Sequence, residues 1–237
     1  MTKTLYYVAI ALIVGQLQSC AQTKSNTSMS EKIKLTYVMD PQCGWCYGNS
    51  ENITALQEVF KDDFDFELLV GGMWLGQNAP LGGDDLSQFI QNQAARMTAT
   101  TGAQVDKRYY ELAKDSTYSF SSLEPSAAIQ LVKETATDKT FLFAKKVQHA
   151  LFAEGKRLDE KETYIEILKT MALDTTAFNS LWMNADNISK TKKEFIEASN
   201  LTGGFPTLVL TKDGQPEALA SGYFTKEIMI QKLHQLK

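Results

Sequence analysis

Cysteine and histidine are scarce in this chain of 237 residues: three of the first, Cys20, Cys43 and Cys46, and two of the second, His149 and His234. Three thiols exclude a small disulfide-stapled scaffold and fall short of the four thiolates of a Cys₄ zinc site. Each lone histidine reads as a packing or surface residue. Lys and Arg are scattered and the net charge is −4, so the basic footprint that a phosphate backbone requires is missing, and nucleic acid is not an expected partner. The uncharged segment at residues 5–17 is too short to span a bilayer comfortably. What the chain has in quantity is apolar sequence, 43% of it, enough for the core of one large domain or two small ones.

Residues 1–20 read as a signal peptide: a single Lys3, the uncharged segment, then Leu17-Gln18-Ser19-Cys20. That last stretch resembles the lipobox of bacterial lipoproteins, whose cysteine becomes the lipidated first residue, so Cys20 is the candidate lipidation site. Residues 21–30 (AQTKSNTSMS) are small and polar and suit a flexible tether. The expectation is an exported, periplasm-facing protein held at a membrane by lipid; a start at Met29 would instead give a cytoplasmic one. With Cys20 taken by lipid, Cys43 and Cys46 are the only thiol pair left, and an exported compartment favours disulfide chemistry.

That pair stands in DPQCGWCYG, residues 40–48. Three jobs are open to it: a redox couple, half of a zinc site, or a structural disulfide. The preceding run 33–39 (IKLTYVM) has the length and composition of a buried strand. Residues 49–60 carry apolar positions at helical spacing with Ser50 as an N-cap, and 64–70 (FDFELLV) reads as a second strand. Gly and Pro mark a loop from 71 to 85. Helical patterns then follow at 86–99, 106–114, 124–136, 139–154, 159–172, 174–184 and 186–199, with Asp159 and Asp174 as helix starts. Strand pattern returns at 207–211, with a turn at 212–215, a paired strand at 218–221 and a closing helix at 225–236. The order predicts an α/β, thioredoxin-like fold: residues 31–75 and 200–237 form its βαβ and ββα halves, and 76–199 form a large all-helical insertion between them.

The chain resembles the DsbA-type thiol–disulfide oxidoreductases, most closely their FrnE-type branch, from about Ile33 to the C-terminus. The resemblance is carried by Asp40, Pro41, Cys43, Trp45, Cys46, Tyr47 and Gly48, and by Gly204, Phe205, Pro206 and Thr207. It implies that Pro206 is cis and lies opposite the cysteine turn, where its neighbours offer backbone hydrogen bonds to an extended peptide. Trp45, Gly204, Phe205, Pro206 and Thr207 are accordingly the candidate substrate-binding residues. Phe205 is bulkier than the aliphatic residue or threonine commonly met at this place, which narrows the expected docking groove.

A cysteine in the first turn of a helix meets unpaired N–H groups and the positive end of the helix dipole, which favour the thiolate over the thiol. Cys43 holds that place and is the expected nucleophile; Cys46, three residues on, is the expected resolving cysteine. Gly44-Trp45 between them supplies no histidine to stabilise the thiolate further, so a less extreme oxidant than DsbA is expected. Asp40 reads as a turn residue before Pro41 or as a proton acceptor for Cys46, with the turn preferred. Tyr109, Tyr110, Phe141, Phe143 and Phe152 are expected in the helical core, and Trp74 near the active site.

These readings make the chain a thiol–disulfide oxidoreductase or isomerase acting on cysteine-containing proteins, with no cofactor, no metal and a separate redox-recycling partner. Two rivals stand. One is a glutathione-dependent relative of the kappa-class transferases and hydroxychromene-carboxylate isomerases, which use a serine where this chain has Cys43. The other is a non-catalytic lipoprotein with a structural CxxC disulfide.

Overall fold

Four strands make one sheet in the order β2-β1-β3-β4: β1 Lys34–Met39, β2 Asp65–Val70, β3 Thr207–Lys212 and β4 Gln215–Ser221. The computed structural model describes residues 33–236; the expected signal peptide at 1–20 with Cys20, the expected tether at 21–30 and Met29 lie outside the described residues. β1 runs parallel to β2, with Met39 opposite Val70, and antiparallel to β3, with Val38 opposite Thr207. β1 is central and buried on both faces, which is why it reads as a continuous apolar run rather than an alternating one. Leu35, Tyr37 and Met39 face one cluster together with Leu208 and Leu210; Val38, Leu69 and Val209 face another. The pleat of two residues sorts one strand into two cores.

Helix α1, Gly44–Phe60, supplies Ile53, Leu56 and Phe60 to the first core, and α9, Lys226–His234, packs beside it. Asn49 and Asn52 of α1 bind the backbone that leads into α9: Asn52 donates to the Phe224 carbonyl at 2.8 Å and accepts from the Lys226 N–H at 3.2 Å. Between the halves come α2 Asp84–Thr101, α3 Lys107–Leu112, α4 Leu123–Thr135, α5 Thr140–Phe152, α6 Lys161–Thr170, α7 Thr176–Leu181 and α8 Ala185–Leu201. α8 covers the second face through Ala198. The aromatics expected in the helical core, Tyr109, Phe141, Phe143 and Phe152, are buried there, and Tyr110 packs against it.

Two expectations for helix starts are corrected. α1 begins at Gly44, not Asn49: Cys43 is its N-cap and Ser50 lies inside the helix. α6 is capped at Glu160, while Asp159 instead pairs with Arg157 at 2.7 Å; Asp174 does close the turn into α7, accepting the Thr176 N–H at 2.8 Å. The hairpin turns at Asp213-Gly214, both with positive φ (51° and 73°), as two-residue hairpins require.

β2 is an edge strand, and its outer side is closed by a partly buried ion pair. Lys133 of α4 donates to the Leu68 carbonyl at 3.0 Å and pairs with Glu194 of α8, which accepts the Val70 N–H at 3.3 Å. An unpaired strand edge invites association with another chain, and here two helices occupy it. Among the described residues no helix is long and apolar enough to cross a membrane.

Candidate functional site

β1 delivers the chain at Met39 to a turn held at Asp40, Gln42 and Cys43. Asp40 accepts the Gln42 N–H at 2.9 Å, closing an Asx turn, and its carbonyl accepts the Cys43 N–H at 3.0 Å. The helix therefore starts with Cys43 at the cap, in extended conformation (φ −81°, ψ 114°). Its Sγ stands where a capping oxygen would, accepting the Cys46 N–H at 3.4 Å, so negative charge on that sulfur meets the open N–H end of α1. Cys43 is 6% exposed and Cys46 fully buried, and both are free thiols. Burial pushes the Cys46 thiol well up, with Cys43 beside it adding to the effect and the charge of Asp40 also acting on it. One sulfur sits at the helix cap beside a cleft, while the other is fully buried.

The returning segment closes the site from above. The Phe205–Pro206 bond is cis, and the Phe205 carbonyl accepts from Cys43 Sγ at 3.7 Å. Pro206 is buried, and its carbonyl accepts the Gly222 N–H at 2.7 Å. Thr207 is buried at the start of β3 with its hydroxyl shared between Thr202, at 2.9 Å, and the Gly204 carbonyl, at 2.9 Å; Gly204 itself is exposed. The bulk of Phe205 does not fill the space over the cysteines. Its ring packs against Gly71, where an added Cβ would run into it, and joins the second core.

Asp40 is the residue that sequence reasoning undervalued. It is a turn residue, as expected, but its carboxyl is also completely buried, accepting the Met73 N–H at 2.8 Å and the Ser122 hydroxyl at 3.0 Å. Burial pushes it up to about 6, against the pull of those donors. A proton leaving Cys46 therefore has a carboxyl group nearby that exchanges protons near neutral pH. Neither Met73 nor Ser122 is near Asp40 in sequence, so no local signal could have shown this. Gln148 of α5, also unflagged by the sequence, donates to the carbonyls of Asp40 and Cys43, both at 3.4 Å, and Gln42 donates to the Ser121 carbonyl at 2.9 Å. The insertion thus grips the cysteine turn from the segment that leads into α4 and from α5.

Gly48 of the motif has a steric reason. A Cβ on Gly48 would sit 2.8 Å from Thr101 and 2.9 Å from Met97, so α2 crosses α1 there at close approach. Tyr47 stacks on Phe152 with ring centroids 4.8 Å apart, beside Gly44. A cleft of about 180 Å³ opens next to Cys43, bordered by Trp45 and Trp74 and by α2. His149 stands apart from it, half exposed and 3.2 Å from Glu154. Among the described residues no three His, Cys, Asp or Glu side chains gather as metal ligands would.

No family model and no curated protein matches the chain. Solved structures do. A protein from Nitrosomonas europaea described as a protein disulfide isomerase is 19% identical, with 86% of this chain and 97% of that one covered and a TM-score of 0.76. The cytosolic disulfide reductase DsbM from Pseudomonas aeruginosa is 26% identical over 86% of this chain and all of that one, TM-score 0.73, and has also been solved with GSH. A 2-hydroxychromene-2-carboxylate isomerase is 11% identical, with 86% of this chain and 95% of that one covered and a TM-score of 0.57. Sheet order, helical block and neighbours agree: the chain has the DsbA-like thioredoxin fold with a helical insertion.

Proposed function

We propose that this chain is a thiol–disulfide oxidoreductase acting on protein cysteines through Cys43 and Cys46. The likeness to DsbM supports the class of reaction. The observation that carries the reading is the inequality of the two sulfurs: Cys43 at the helix cap, receiving an N–H and facing the Phe205 carbonyl, and Cys46 fully buried behind it. The Cys43 thiolate attacks a substrate disulfide, forming one S–S bond as the substrate's own breaks and one substrate thiolate leaves. Cys46 gives up its proton, with Asp40 as the nearby acceptor, and attacks Cys43; the second substrate thiolate leaves, and the pair is oxidised as the substrate is reduced. Run backwards, the same steps oxidise a substrate dithiol. Turnover in either direction needs a second thiol or disulfide partner to reset the pair.

The test is exchange kinetics on the chain without its first 28 residues. Cys43→Ser abolishes exchange, and Cys46→Ser accumulates mixed disulfides with substrate, seen by mass on non-reducing separation. Full exchange by Cys43→Ser ends the reading. If the pair proves too reducing to open in its compartment, it is a structural disulfide instead. Attachment of lipid at Cys20 belongs to the same proposal and is tested by the mass of the mature N-terminus.

DsbM has been solved with GSH, which raises glutathione as a small partner. Every side chain lining the cleft at Cys43 is uncharged, however, so the two carboxylates of glutathione meet no cation there. Protein cysteines are the better fit.

A further inference from the structure

Resting on that reading, we infer that Tyr37 is a further catalytic residue of the resolving step: its hydroxyl donates to the Cys46 thiolate as that sulfur attacks Cys43, and it keeps its own proton throughout.

The first observation is placement. Tyr37 stands on β1 with its side chain in the core cluster that also holds Cys46, and it is 2% exposed. Its hydroxyl reaches α1 at Asn49, accepting from Asn49 Nδ2 at 3.4 Å. Asn49 comes three residues after Cys46 in that helix, and side chains so spaced lie on one face with Cβ atoms about 5–6 Å apart. The phenol oxygen is thus met by the face of α1 that carries the buried sulfur, one turn further on. Burial, with the charges of Cys46 and Cys43 adding to it, pushes the Tyr37 hydroxyl well above its ordinary range, so it holds its proton and serves as a donor.

The second observation is an unused proton. Asn49 Oδ1 accepts the Phe224 N–H at 3.3 Å and Asn52 Nδ2 at 3.4 Å, which fixes the amide so that its nitrogen faces Tyr37. Tyr37 is therefore the acceptor in that contact, and among the described residues its own O–H meets no acceptor. A hydroxyl proton turns to suit its surroundings, and the group in this cluster that needs a donor is Cys46 once it ionises. Burial, Cys43 and the charge of Asp40 all oppose a negative sulfur there, while the Asp40 main chain favours it. One further O–H lowers the cost of that buried charge at the moment the reaction requires it.

The step balances as follows. Cys46 passes its proton to the Asp40 carboxylate, and the Tyr37 O–H holds the sulfur left negative. The Cys43–Cys46 bond forms as the Cys43–substrate bond breaks, and the substrate thiolate leaves with the charge. Asp40 takes the proton while Tyr37 steadies the sulfur.

The experiment mixes the reduced chain, without its first 28 residues, with excess 5,5′-dithiobis(2-nitrobenzoate). Attack by Cys43 releases one chromophoric thiolate at a rate that rises with the reagent, and attack by Cys46 releases the second at a rate that does not. Tyr37→Phe slows the second release about tenfold more than the first, the worth of one hydrogen bond to a charged group. In Cys43→Ala, where Cys46 is the one thiol of the shortened chain, the Cys46 Cβ resonance titrates about one pH unit higher when Tyr37→Phe is added. Tyr37→3-fluorotyrosine, a stronger donor that keeps the ring and its contact with Asn49, moves that titration lower and carries the test if Tyr37→Phe fails to fold. Equal slowing of both releases, or a titration that neither variant moves, overturns the role of Tyr37 while leaving the exchange reaction standing. Absence of both releases in the unsubstituted chain takes down the oxidoreductase as well.

Discussion

Asp40 and Glu194 are both buried carboxylates that burial lifts above the ordinary range, and they are partnered in opposite ways. Glu194 has a cation: Lys133 meets one oxygen while the Val70 N–H meets the other, and the pair ties α4 and α8 to the edge of the sheet. Asp40 has three donors, all neutral: the N–H groups of Gln42 and Met73 and the hydroxyl of Ser122. The acid met by a lysine acts as a fastener between α4, α8 and the sheet edge. The acid held only by dipoles keeps a proton equilibrium near neutrality, beside a thiol that must lose a proton to react. A single stretch serves both, since Val70 donates to one and Met73 to the other.

The largest effect expected is on the fastener. Lys133→Met leaves Glu194 without its counter-charge at 9% side-chain exposure, and stranding a buried charge costs about 3–5 kcal/mol. Urea midpoints measure it, and Lys133→Met/Glu194→Gln recovers most of the loss by removing the stranded charge. A cost no larger than that of an exposed pair, about 1 kcal/mol or less, would make Glu194 no different from the surface acids.

Asp40 should behave in the contrary manner. Its native pKa lies at about 6 and its ordinary value at 3.8, so between these the unfolded chain has lost a proton that the native chain keeps. The native state is favoured by this group below pH 4, and the advantage disappears as pH rises through 6, a change of about 3 kcal/mol. In Asp40→Asn that decline vanishes from stability curves taken between pH 4 and 8. The resolving step, read as release of peptide from the Cys43 mixed disulfide, loses its pH dependence near 6 in the same variant. An unchanged stability slope would mean Asp40 titrates no differently folded than unfolded.

Gly71 lies between the two donors and tests whether the shared stretch is rigid. A methyl group there meets the Phe205 ring, and overfilling a packed site costs about 1–3 kcal/mol. Gly71→Ala/Phe205→Leu restores most of it. Recovery in the double variant shows that the glycine exists to house the ring.

What could be read in advance divides along the same line. β1, β2 and β3 were legible because each is a short apolar run closed by turn residues, while Cys43, Cys46 and Pro206 became candidates because local motifs mark them. The start of α1 was not: Gly44, Trp45, Tyr47 and Gly48 are weak helix formers, and the first turn exists because Asp40 and Cys43 fix it. Glu194 and Lys133 looked like any charges on helical faces. Asp40 looked like a turn because locally it is one; its second oxygen is taken by Met73, 33 residues on, and its first is shared with Ser122, 82 residues on. Gln42 was invisible for the same reason, its tie to Ser121 spanning 79 residues.

Ser122 gives the finest division between the two acids. Its hydroxyl donates to Asp40 at 3.0 Å and accepts the Trp74 N–H at 3.1 Å, so it is where the insertion touches the proton equilibrium of the cysteine turn. Ser122→Ala removes a donor that favours the ionised carboxyl, and one net hydrogen bond is worth about 1 kcal/mol, or ~0.7 of a pH unit. Asp40 therefore titrates higher, followed by carboxyl-carbon NMR, and the break in the resolving step moves up with it. Glu194 shares no donor with Ser122, so its titration should stay where it is. Movement of both would show that the stretch from Val70 to Met73 couples them. Movement of Asp40 alone would show that the helical insertion sets the pH at which the buried thiol can act.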